Sequence, residues 1–196
     1  RQMCIRDRPM QQLHEVGTLM PKWVLWAKKM EGAVASSDVV RAIARRFWGS
    51  ELAVDFSTCE GKALAAKKIQ DREYAKECLI LCDDIWPITD SEYSEDHVGD
   101  PTLESKLLSA VNGKEVDEGG LYRMGERVFN LQRAILVREG HKGREDDKLP
   151  DNWHTVPLKG NVANPELLVP GKGGEVISRK GAVVHREDFE RMKDEY

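Results

Sequence analysis

The sequence predicts a mainly α, bundle-like fold with one small β-hairpin near residues 175–184. Three observations predict it. Apolar residues recur at spacings of three or four along several stretches, the period of an amphipathic helix. Those stretches are bracketed by Ser, Thr or Asp at their starts and Gly or Pro at their ends. A short alternation around a glycine turn, Glu175-Val-Ile-Ser and Ala182-Val-Val-His flanking Arg179-Lys180-Gly181, supplies the hairpin.

In chain order, Pro21–Met30 reads as a helix with proline in its first turn and Trp23, Val24, Trp26 and Ala27 as its apolar side. Ser36-Ser37-Asp38 caps the next helix, on which Val39, Ile43 and Phe47 share a face, and Gly49-Ser50 stops it. Ser57 or Thr58 then caps a long segment of strong helix formers running from Gly61 to Ile85, which Pro87 terminates. Residues 90–102 form a polar loop. Leu103 to Val111 makes a short helix ending at Asn112-Gly113, a left-handed stop. Asp117 caps the clearest helix, where Leu121, Met124, Val128, Leu131 and Ile135 form a continuous stripe closed by Gly140. That stripe is expected to be core. Residues 141–174 carry little periodicity and read as an irregular wrap, and a further helix starts at Arg186.

Composition narrows the function. The 196 residues carry a net charge of −4, which disfavours a nucleic-acid binder, since phosphate neutralisation needs a basic face. The longest apolar run, Cys78 to Cys82, falls far short of the ~20 residues that span a bilayer. The first eight residues, Arg1 to Arg8, have no periodicity and resemble a translated sequencing adapter; they are set aside, leaving 9–196 as the helical region. Cys59, Cys78 and Cys82 then remain, an odd set at no secretory spacing, which points to a reducing, cytoplasmic compartment.

No HExxH, P-loop or GxSxG is present, and the five histidines are scattered. No catalytic acid, base or nucleophile stands out. Chemistry concentrates in Glu77-Cys78-Leu79-Ile80-Leu81-Cys82. On a continuous helix the two cysteines share a face. They suit either two buried helical cysteines or part of a zinc or iron–sulfur site, which would need further ligands.

That hexapeptide resembles the D-S-L-G-L-C signature of the aldehyde ferredoxin oxidoreductase family. Other segments resemble the same family in the same order. Glu60-Gly61-Lys62-Ala63 matches its E-G-K-A, and Gly125-Glu126-Arg127-Val128-Phe129-Asn130-Leu131-Gln132-Arg133 its G-E-R-I-x-N-L-x-R. Arg138-Glu139-Gly140 and Asp146-Asp147-Lys148-Leu149-Pro150 match its R-E-G and D-D-x-L-P. The resemblance spans roughly residues 20–196 and implies the helical C-terminal domains of that fold, preceded by a β-rich cofactor domain with a C-x-x-C-x-x-x-C group.

The resemblance further implies an oxidoreductase that converts aldehydes to carboxylates on a tungsten (or molybdenum) bis-pyranopterin. Electrons would pass through a [4Fe–4S] cluster to ferredoxin or another electron-transfer protein. Cys82 would be the fourth cluster ligand, Glu77 would hydrogen-bond the pterin, and Leu81 would border the same cleft. The implied partners are the preceding domain and a small aldehyde or acyl substrate, with no nucleic acid or membrane and with homo-oligomerisation left open. Relatives that reduce aromatic acyl-thioesters, and a non-catalytic helical binding module, are the alternatives. Three departures stand out: Glu77 for Asp, Cys78 for Ser, and Ile80 for the usual glycine. The last implies a tighter or more helical turn. Cys78 is expected to be the packing cysteine. Glu77 and Cys82 lie five apart, about 140° around an ideal helix, so both reach one cofactor if the helix bends or ends between them, or if the pterin lies along the face between them.

Overall fold

A computed structural model of the chain describes residues 14–81, 86, 88–159 and 180–195. Among them the elements are helical: α1 His14–Ala27, α2 Ser37–Trp48, α3 Lys62–Leu79, α4 Leu103–Asn112, α5 Glu118–Arg138, α6 Asp151–Thr155 and α7 Arg186–Asp194. Two 3-10 turns, Glu51–Val54 and Gly143–Asp146, join them. The chain divides into two compact units. One holds the described residues of Arg1–Lys67, Thr89–Gly99 and Leu149–Tyr196; the other holds those of Lys68–Ile88 and Asp100–Lys148.

The first unit has a conventional apolar core. Val16, Leu19 and Trp23 point inward from α1 at i, i+3 and i+7, and Val40, Ile43, Ala44, Phe47 and Trp48 do so from α2. α1 therefore begins well before Pro21, which lies inside the helix instead of at its start. The buried stripe carries the helix past the missing proline N–H. Two indoles are satisfied by oxygen: Trp23 Nε1 donates to Ser37 Oγ at 2.9 Å, and Trp48 Nε1 donates to the buried Glu15 carboxylate at 2.8 Å. Ser36 caps α2 by accepting from Val39 N–H, and Gly49 ends it at φ +84°.

Gly61 and Lys62 tie the start of α3 to the 3-10 turn before it. Gly61 has φ +74°, and a Cβ there would fall 2.7 Å from Leu52 Cβ. The Lys62 ammonium donates to the Leu52 carbonyl at 2.5 Å and to the Asp55 carbonyl at 2.7 Å. Burial pulls its pKa down to about 8, against the opposing pull of Asp55 and Cys59.

The hairpin expectation does not hold. Residues 175–179 lie outside the described residues, and Ala182–His185 forms no strand. This segment pairs instead with the end of α6: Leu158 N–H donates to Ala182 O, Gly181 N–H to Leu158 O, and Val184 N–H to Trp153 O, each at 2.9–3.0 Å. His154 Nδ1 lies 2.7 Å from Val184 O. Backbone groups that a local turn was expected to satisfy are thus satisfied by partners more than twenty residues earlier.

The second unit is built differently. α3 and α5 cross at Gly125, where a Cβ would lie 1.8 Å from the Asp71 carbonyl oxygen and 3.1 Å from the Ala75 nitrogen. Tyr74 packs edge-on against Phe129 with centroids 5.3 Å apart, and its hydroxyl hydrogen-bonds Gln132. Its apolar interior is small: Ile69, Ala75 and Leu121 are buried beside the charged Arg72, Lys76 and Glu104. Arg72 donates to Tyr122 Oη at 2.5 Å and lies 3.9 Å from the Glu104 carboxylate. Burial pushes the Tyr122 phenol well above its ordinary pKa.

α5 starts and stops as its sequence predicts, with Asp117 accepting from Gly120 N–H and Gly140 at φ +102°. The expectation that its apolar stripe is core holds at one end alone. Leu121 is buried, whereas Met124 is 40%, Val128 36%, Leu131 63% and Ile135 48% exposed. Gly125 explains the difference. Its missing side chain admits the α3 backbone, so the face turned inward is that of Leu121, Gly125, Phe129 and Gln132, beside the stripe and not centred on it.

Candidate functional site

The expected site lies where α3 ends. The helix was expected to run to Ile85, but it stops at Leu79. Ile80 takes φ +58°, the left-handed region, and its side chain is 93% exposed. Ile80 N–H donates to Glu77 O at 3.2 Å, and Leu81 N–H donates to Lys76 O at 3.1 Å. These are the two crossed bonds of a Schellman stop. α5 ends with the same pair, Gly140 N–H to Val137 O and His141 N–H to Leu136 O. Glycine occupies the left-handed position there; isoleucine occupies it here. Of the tighter or more helical turn inferred from Ile80, the more helical alternative does not hold: the helix stops at Leu79 and Ile80 adopts the conformation a glycine would.

This stop positions the expected residues. Glu77 and Cys78 are both exposed on the last turn of α3, and neither side chain makes a hydrogen bond or ion pair with another described residue. Cys78 is therefore not the packing cysteine; the early end of the helix leaves it on the rim. Leu81 is half-buried and already off the helix. Cys82 lies outside the described residues, and so does the cleft it was expected to share with Glu77. The helix does end between the two positions, one of the arrangements that lets both face one group.

Lys76 is the residue that sequence reasoning missed. It sits in the last turns of α3 with its side chain fully buried. Its ammonium lies 2.7 Å from Glu73 Oε1 and donates to the Trp86 carbonyl at 2.9 Å. The faint signal is a lysine followed four residues later by the chain's departure from the helix at Ile80; nothing in the local pattern marks it as buried.

The other motif residues are structural. Arg133 grips Asp147 with both guanidinium nitrogens, the Nη1 bond being 2.7 Å, and this contact holds its pKa above the ordinary value. Asp146 accepts from Lys142 N–H at 2.7 Å. Gly125 makes the helix crossing. Cys59 is half-buried in the first unit; burial chiefly, then Asp188, raises its thiol pKa, against Arg191 and Lys62. Among the described residues no group of three or more His, Cys, Asp or Glu is arranged to hold a metal, and no helix is long and apolar enough to cross a membrane.

Residues 8–196 match the family model described as aldehyde ferredoxin oxidoreductase, domains 2 & 3. No solved structure matches the chain.

Proposed function

The chain belongs to the aldehyde ferredoxin oxidoreductase family, and on that premise we propose that it supplies the helical part of an enzyme that oxidises aldehydes to carboxylates. In that reaction the aldehyde takes up an oxygen atom from water, and three protons and two electrons leave as the carboxylate forms. A family of this kind works with a metal–pterin cofactor, which when bound supplies the two-electron chemistry, with a [4Fe–4S] cluster carrying electrons on to ferredoxin.

The donor set suits a share in such a centre. The chain retains a single cysteine past the end of α3, and a four-thiolate cluster needs three more from elsewhere. Cys82 would give the cluster a thiolate. Glu77 would accept an N–H from the pterin, its carboxylate being exposed and engaged by no other described residue. Leu81 would line the apolar wall between them. Cys59, in the other unit, and Cys78, exposed on the helix rim, take no part in this reading.

The observation that carries the reading is the stop at Ile80, which turns the chain off the helix axis two residues before Cys82. A thiolate ligand is best presented from such an exit, since it need not share the helix face with the carboxylate. The test uses the intact enzyme, expressed anaerobically. Cys82→Ala should lose the cluster's visible absorption, and Cys78→Ser should keep it along with aldehyde-dependent dye reduction. Equal loss in both variants, or none in either, would overturn the assignment.

A further inference from the structure

One side of α5 is open to solvent. Met124, Val128, Leu131 and Ile135 are exposed on it, and Leu131 is the most open at 63%. The same side carries cations. On an ideal helix Arg127 and Arg138 lie within about 40° of Leu131, and Arg123 lies about 80° from it. Arg127 and Arg138 are exposed, and neither side chain makes a hydrogen bond or ion pair with another described residue. Arg123 is 71% exposed and 3.9 Å from Asp117, which is itself largely in solvent. The helix's two glutamates, Glu118 and Glu126, lie about 140° from Leu131, turned away from this face. A positive face with an apolar centre therefore stands on a chain whose net charge is −4. Arginine and methionine are enriched where proteins meet, and the complement of this face is an apolar centre rimmed by carboxylates. A lipid surface suits it less well, because the row holds no Trp or Phe to seat at the headgroups.

We propose that the outer face of α5 docks a small acidic electron-transfer protein, with Leu131 and Ile135 at the centre of the contact and Arg127 and Arg138 set against its carboxylates. That the acidic partner is an electron carrier rests on the aldehyde-oxidising reading, in which two electrons leave the enzyme on a protein. Such a carrier must bind and depart. From Arg127 to Arg138 the face is about 16 Å long, and a small contact steered by charge suits a brief encounter of that kind.

The test uses the intact enzyme, made anaerobically, with a purified acidic ferredoxin as the probe. Two quantities are measured: equilibrium binding of the oxidised ferredoxin without turnover, and the KM for ferredoxin beside aldehyde-dependent reduction of a small dye. Arg127→Glu combined with Arg138→Glu should weaken binding and raise that KM about ten-fold at low salt. Dye reduction should stay at the parent's rate, and the parent's fall in affinity with salt should flatten. Arg127→Gln with Arg138→Gln, a milder change, should shift both quantities the same way by less. Leu131→Ser should weaken binding and leave its salt dependence in place. Folded variants with the parent's ferredoxin affinity and KM would overturn the proposal. A thiol label that fails to reach Arg127→Cys in the native enzyme would overturn it too, since the preceding domain would then cover the face. So would a parent dimer that the glutamate variants split, or a loss of binding to phosphatidylserine vesicles with ferredoxin binding unchanged. A parent that binds ferredoxin through these arginines but reduces no dye with aldehyde supports the docking face and sinks the aldehyde reading. An active parent whose ferredoxin binding ignores the arginines sinks this proposal alone.

Discussion

Ile80 carries strain that the sequence does not compensate. An L-residue in the left-handed region costs about 1–2 kcal/mol, and a β-branched one sits at the upper end. Glycine would remove that cost but return about 0.5–1 kcal/mol through the entropy of its unfolded state. With the side chain 93% exposed, no packing is lost on truncation. Ile80→Gly should therefore raise the stability of this chain by about 0.5–1 kcal/mol, read as a higher urea midpoint; an unchanged or lower midpoint would show that the isoleucine gains something its exposure hides. Lys62 gives a second residue-scale expectation. Its folded pKa of about 8 lies below the ordinary 10.5, so between those values the unfolded chain binds more protons than the folded one. Stability from this group is lowest below pH 8 and rises as pH climbs towards 10.5. Other lysines titrate in the same window, so the comparison is with Lys62→Gln, whose stability should rise less steeply from pH 8 to 10. Parallel profiles would contradict the depressed pKa.

At the scale of elements, caps were the most legible part of the sequence. Ser36, Asp117, Gly49, Gly113 and Gly140 act where they were expected to, because each satisfies its helix end within a few residues. The end of α3 was not legible for the complementary reason: Ile80 makes a glycine's turn without glycine, inside a run of good helix formers. The partner of Ala182–His185 was hidden because backbone pairing across more than twenty residues leaves no local period. Gly125 was visible as a motif residue, but its reason was not. It is the contact point of α3 and α5, where a methyl group has no space against Asp71 and Ala75 backbone. Gly125→Ala should thus cost about 3 kcal/mol or more through separation of the helices, despite alanine's better helix propensity. A loss below about 1 kcal/mol in denaturant melts would mean the two helices can part freely. Arg133 and Asp147 belong to the same scale, since they fasten the loop after α5 to the helix. A double-mutant cycle with Arg133→Ala and Asp147→Ala should return a coupling of about 1 kcal/mol for this half-exposed bidentate pair.

For the molecule as a whole, the stripe on α5 is the feature whose meaning the sequence left open. Periodicity reveals that Leu121, Met124, Val128, Leu131 and Ile135 share one side of a helix; it does not reveal which neighbour covers that side. In this chain Leu121 is covered, and the next four residues are exposed along about three turns of helix. Leu107 and Val111 of α4 are exposed as well, at 46% and 84%. A contiguous apolar row on a helix is more than the scattered surface hydrophobes of an ordinary protein, and such rows mark surfaces that associate. Leu131→Ala should then cost this chain less than about 1 kcal/mol, well below the 2–5 kcal/mol of a buried leucine. Leu131→Ser together with Ile135→Ser should lower the binding of a hydrophobic dye, while leaving the helical circular dichroism of the chain unchanged. If instead Leu131→Ala were as costly as a core truncation, the stripe would be covered in solution by something this chain itself supplies, and the exposed face would have to be withdrawn.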